Sequence, residues 1–267
     1  MPLPLSFSLV PVAVAPVPGM SVAAVGSKAV TSRFFEGTSV RRTAVLAAAV
    51  TALLLPATAY ATPAHPAPGS RAAAPGDTVT LTVNEALDAL DVAPEDTTGY
   101  KRSYFRHWID ADHDGCNTRQ EALLEEAVEA PEQGARCKLT GGLWYSAYDD
   151  TYINGPGGTD ADHRVPLKEA WDSGAADWTP AERQDFANDL RDPRSLVMVS
   201  ARSNRSKGEK DPAQWQPPAA GNRCEYNTLW VVVKTRFRLS VDPAEKTALA
   251  GELANCPDDM LTVELAR

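Results

Sequence analysis

The chain has 267 residues, a formal charge of −9 and an apolar fraction of 43%. The surplus of acid excludes the broad basic surface that holds proteins to nucleic acid without specificity. The apolar content excludes a wholly disordered chain and is enough for a domain with its own core.

Residues 1–61 carry Lys28, Arg33, Arg41 and Arg42 against a single acid, Glu36. Arg41-Arg42 precedes the apolar run Ala44–Leu55, and small residues follow at Ala57, Ala59 and Ala61. A basic start, a short apolar stretch and a small-residue cleavage site predict a secretory signal peptide. The run falls short of the roughly 20 residues that span a bilayer, so a membrane anchor is the weaker reading. Beyond residue 61 the basic count drops from 26 to 22 and the acidic count from 35 to 34, which leaves a charge of −12. Residues 62–77 are Pro, Ala and Gly with little to bury, and read as a linker. One domain is expected over 78–257, with a frayed tail at 258–267.

The four cysteines, Cys116, Cys137, Cys224 and Cys256, lie in the exported part and predict two disulfides. Three pairings are open. Cys116–Cys137 and Cys224–Cys256 are favoured because each closes a local loop. The spacing lacks the close cysteine pair of a structural zinc site.

In chain order, Thr82 to Ala93 reads as a helix opened by a Thr82/Glu85 capping box. Tyr100, Tyr104, Phe105 and Trp108 then interleave with Lys101, Arg102 and Arg106. Such a run either stacks on nucleic acid or is a helix packing its aromatic face. Asp110 to Glu121 fits the pattern D-x-D-x-D-G-x₅-E. That pattern sets Asp110, Asp112, Asp114 and Glu121 around one calcium ion, with Gly115 at the sharp turn. The competing reading is an acidic turn held by the neighbouring disulfide. Arg119, a base within this acidic loop, is a candidate for phosphate contact. Glu121 to Ala130 is helical in pattern. A hairpin holding Leu143, Trp144, Tyr145 and Tyr148 then leads to Asp160.

The stretch Gly158–Trp171, GTDADHRVPLKEAW, concentrates the chemistry. His163 suits a general base, because imidazole titrates near neutral pH. Asp162 suits a hard divalent cation such as Mg²⁺, and Asp160 is a further candidate ligand. Strand alternation would send Asp162 and His163 to opposite faces, unless the strand ends there, as Pro166 suggests. Thr179-Pro180-Ala181-Glu182 opens a helix running to about Leu190. Ser195–Ser200 is a strand and Ala201–Lys207 a helical turn. That turn can aim Asn204 back at a cation on Asp162. Arg202, Arg205, Lys207 and Lys210 supply a local positive patch, of which Arg202 and Arg205 are the candidate phosphate-binding pair. Strand, strand, helix is the order of a ββα metal finger, and the fold class is α+β. Asn227–Leu239 reads as a helix. An Asp242/Glu245 capping box opens a last helix ending near Cys256.

Together, DADHRVPLKEAW and FANDLRDPRSLVMVSARSNRSKGEKDPAQW resemble the secreted HNH (His-Me finger) endonucleases related to the C-terminal domain of GmrSD-type restriction enzymes. With DADHDGCNTRQEALL and GGLWYSAYDD the resemblance extends over about residues 100–256. It implies His163 as general base, Asp162 and Asn204 as metal ligands, and Lys207 as a phosphate or transition-state contact. For the central HNH residue, Asn188 and Ser195 both stand as candidates; serine departs from the family lettering. The expected protein is a secreted, monomeric, metal-dependent endonuclease of DNA or RNA that keeps no membrane association. Mg²⁺ is the first-choice cation, Mn²⁺ the second, with Ca²⁺ at Asp110–Glu121. The rival readings are an exported calcium-stabilised module that binds polyanions, and a hydrolase of smaller phosphodiesters.

Overall fold

A computed structural model describes residues 73–267; the expected signal peptide and most of the linker lie outside these residues. The elements run β1 (Thr78–Thr82), α1 (Val83–Ala89), α2 (Thr118–Glu125), β2 (Glu132–Gly134), β3 (Lys138–Thr140), β4 (Leu143–Ser146), β5 (Thr151–Asn154), β6 (Thr159–His163), α3 (Leu167–Asp172), α4 (Pro180–Ala187), β7 (Leu196–Ser200), α5 (Ala201–Lys207), α6 (Arg223–Phe237), α7 (Pro243–Leu253) and β8 (Met260–Glu264). The fold is α+β. Among the described residues the strands pair only in antiparallel twos: β1 with β8, β2 with β3, β4 with β5, and β6 with β7. No described helix is long and apolar enough to cross a membrane.

Local signals set most boundaries. Thr82, Thr179 and Asp242 each accept from the backbone three residues on, and Glu85, Glu182 and Glu245 reach back to them. Each reciprocal pair satisfies two of the backbone donors that a helix start leaves open. α1 nevertheless ends at Ala89 rather than Ala93. α2 starts earlier than expected because Asn117 and Gln120 form a capping box of their own. The aromatic stretch after Tyr100 holds a single 3₁₀ turn, Arg102–Tyr104, and not a helix.

Two cores flank the β6–β7 ribbon. The larger is centred on α6, where Tyr226, Trp230, Val231, Val232 and Phe237 are buried against α1, α3, α4 and α7. The smaller gathers Cys116, Leu123, Trp144, Ala161 and Met198. Ala161 and Met198 face each other in the ribbon, so its register delivers one side chain from each strand to this second core. Both expected disulfides, Cys116–Cys137 and Cys224–Cys256, are formed. The first sits in the small core. The second ties the start of α6 to the chain just past α7.

The expected frayed tail is instead β8. It pairs along its whole length with β1 and buries Leu261 and Val263. The alternation Leu261, Val263, Leu265 is the period-two signal of a half-buried strand, and β1 supplies its otherwise distant partner.

Candidate active site

β6 and β7 are antiparallel, and α5 follows β7 without a connecting loop because Ser200 is both the last residue of the strand and the cap of the helix. This places Asp162, His163 and Asn204 on the wall of one cavity of about 230 Å³, with Arg102, Pro166, Arg205 and Glu209. β6 does not stop before His163. His163 pairs with Leu196 and Asp162 with Val197, so the two side chains do leave on opposite faces. They share a cavity because it lies at the carboxyl end of the strand, where the chain turns at Pro166.

His163 is 6% exposed and stacks on two rings, Trp108 at 5.3 Å and Phe186 at 6.3 Å. Its Nε2 is 2.9 Å from the carbonyl of Ala187. That carbonyl ends α4 and lacks a helical partner, so it is free to accept. A carbonyl only accepts, so Nε2 carries the hydrogen and Nδ1 keeps the lone pair. Burial pushes the imidazole down from 6.5 to about 3; the Ala187 bond opposes that shift, and the charges of Arg102, His107 and Lys207 add to it. The ring is therefore neutral at physiological pH.

Asp162 is 5% exposed, and its Oδ2 accepts from the Tyr148 hydroxyl at 2.8 Å and from Lys207 Nζ at 2.6 Å. Lys207 is fully buried and also donates to the carbonyl of His163 at 2.8 Å. Burial lowers its pKa, and Asp162 opposes that pull. The resemblance assigned Lys207 to phosphate. Here its ammonium is enclosed and spent on Asp162 and on the strand end, so it positions the aspartate and is not open to a ligand.

A divalent cation fits what remains. Oδ1 of Asp162 is left to coordinate. Asn204 donates its amide nitrogen to Asp160 at 3.3 Å, which leaves its amide oxygen free to coordinate as well. Asp160 and Asp162 lie on the same face of β6, two residues apart. All three donors are hard oxygens of the kind Mg²⁺ or Mn²⁺ takes.

The other expected site residues are dispersed. Arg205 lies 3.8 Å from Asp160 with its side chain mostly in solvent, and Arg202 is exposed. Arg119 instead donates to the carbonyls of Pro156 and Thr159, which clamps the turn entering β6. Asp110, Asp112 and Asp114 bring carboxylate oxygens within 4.8 Å of one another. Glu121 stands near them, its pKa raised by burial and by their charges. Neither candidate for the central residue lines the cavity. Asn188 caps α4 and binds the backbone at Arg106 and Ile109. The Ser195 hydroxyl donates to Asp189 at 2.6 Å, and Asp189 is in turn paired with Arg236. Sequence reasoning missed Tyr148, the Ala187 carbonyl and the stacking role of Trp108. Tyr148 lies in the turn of the hairpin rather than in its strands. Only the aromatic density near the Asp-His pair was a cue for the ring contacts.

A neutral buried imidazole oriented by a main-chain carbonyl thus lies beside the side chains of Asp160, Asp162 and Asn204. Residues 117–252 match the family described as GmrSD restriction endonucleases, C-terminal domain, and the chain belongs to that family. It is also 40% identical over 176 residues to an "uncharacterized secreted protein" of Arthroderma benhamiae, which covers 66% of this chain and 85% of that relative. No solved structure matches. The secreted relative and the two disulfides agree on an extracellular location.

Proposed function

We propose that the protein is a secreted, metal-dependent endonuclease of the HNH (His-Me finger) type, which hydrolyses phosphodiester bonds of DNA or RNA. The observation that carries this reading is His163. It is held neutral, its Nε2 hydrogen is committed to Ala187, and it lines one cavity with Asp162 and Asn204. Nδ1 is then the nitrogen left to take a proton from water. The hydroxide oxygen bonds to phosphorus as the bond from phosphorus to the leaving oxygen breaks, and the leaving oxygen is protonated from solvent. Asp162, Asn204 and Asp160 would hold a divalent cation, which would supply positive charge against the negative charge that develops on phosphate and leaving group. Lys207 and Tyr148 keep Asp162 oriented. Trp108 and Phe186 fix the plane of the imidazole.

The test is digestion of plasmid DNA and of RNA by the protein freed of residues 1–61, with Mg²⁺, Mn²⁺ or Ca²⁺ and with chelator. Cutting in Mg²⁺ or Mn²⁺ is expected to vanish with chelator, and to fall at least about 10²-fold in His163→Ala with folding intact. Retention of nucleic acid without cutting in any metal would instead favour the binding module.

A further inference from the structure

With Lys207 enclosed, the site needs another cation for the phosphate. We propose that Arg102, from outside the ββα unit, binds the phosphate under attack. This rests on the nuclease reading above and adds a substrate contact to it.

Two basic side chains line the cavity, Arg102 and Arg205. Arg205 is drawn to Asp160. Arg102 is exposed and makes no ion pair among the described residues, although Glu209 lines the same cavity. Arg102 lines the same cavity as His163. A guanidinium presents paired N–H donors in a planar fork that matches two phosphate oxygens, as an ammonium does not.

The backbone under Arg102 is anchored. Arg102 opens the 3₁₀ turn that ends at Tyr104, and Phe105 just after it is fully buried. Tyr104 stacks on Trp171 at 5.4 Å, while Phe105 meets Trp171 and Phe186 edge-on at 6.4 and 6.1 Å. Phe186 stacks on His163, and so does Trp108, three residues past Phe105. One short segment therefore both encloses the base and delivers a cation to the same cavity. This coupling holds the distance between proton acceptor and phosphate fixed, and that fixed distance is the main contribution of positioning in catalysis.

The experiment compares Arg102→Ala and Arg102→Lys with wild type and His163→Ala in single-turnover DNA cleavage, with methylguanidinium titrated into each. Arg102→Ala is expected to lose about 10²-fold in rate, as when one transition-state donor is removed. Its thermal midpoint should stay that of wild type, because the side chain is exposed. Methylguanidinium should restore at least tenfold of the loss in Arg102→Ala and nothing in His163→Ala. Arg102→Lys, which keeps the charge but not the fork, should lie between and tests the proposal if the alanine variant folds poorly. Wild type that cuts, with His163→Ala inactive and Arg102→Ala within threefold of wild type, overturns the Arg102 proposal alone. So does a large loss that methylguanidinium leaves untouched. Wild type that never cuts removes the nuclease reading itself.

Discussion

Replacing Lys207 by methionine tests whether this lysine is a buried counter-ion or a phosphate ligand. The side chain is 0% exposed, its ammonium is 2.6 Å from Asp162, and that carboxylate is itself 5% exposed. Methionine keeps most of the volume and removes the charge. Asp162 then retains only the Tyr148 hydroxyl on Oδ2, and the carbonyl of His163 loses its donor. Breaking a buried pair from one side costs about 3–5 kcal/mol. The orphaned carbonyl adds about 1 kcal/mol. Urea unfolding at pH 7 should therefore show a loss of about 4–6 kcal/mol, a midpoint shift of about 2–3 M for a slope near 2 kcal/mol/M. Adding Asp162→Asn should recover about 2–3 kcal/mol relative to the sum of the single changes, because the stranded charge is gone. A ligand lysine open to solvent would behave differently: Lys207→Met would then stay within about 1 kcal/mol of wild type while cleavage falls. That outcome would refute the buried counter-ion.

Two further changes probe the fold. Burial raises Glu126 from 4.5 to about 7, and its carboxylate accepts from the backbone of Met198 in β7. The folded state therefore holds this proton to higher pH than the unfolded chain, and stability falls as pH rises from 4.5 through 7. Glu126→Gln keeps an acceptor and does not titrate. Its stability should match wild type at pH 4.5 and exceed it at pH 8 by up to about 3 kcal/mol, read from paired urea melts; a constant difference across that range would contradict the shift. Removing residues 260–267 should abolish cooperative melting and protease resistance. It deletes the buried Leu261, Val263 and Leu265, at least about 4 kcal/mol of burial against a usual total of 5–15 kcal/mol. A truncated chain melting within a few degrees of wild type would restore the frayed tail.

What could be read in advance was local. Capping boxes are written within three residues, the disulfides close loops of 21 and 32 residues, and the order of strand, strand and helix follows the chain; each appears where the lettering placed it. What could not be read depended on distant partners. In the run Ser203–Lys210 nothing distinguishes Lys207 from Lys210, yet one is buried and the other exposed. The difference is set by Asp162, forty-five residues earlier. Arg119 looked like a phosphate contact from its acidic neighbours, but its geometry follows from the turn before β6. Leu261 and Val263 carried a strand pattern whose partner lies at the other end of the domain.

That last pairing bears on how the site is held. Arg236 donates to the carbonyl of Glu264 in β8 at 2.6 Å and grips Asp189, which holds Ser195 at the threshold of β7. β8 thus belongs to the same polar chain as β7, the strand that pairs with the one carrying His163. The disulfides that brace both cores form only in an oxidising compartment, so this polar chain is locked in place outside the reducing cytosol.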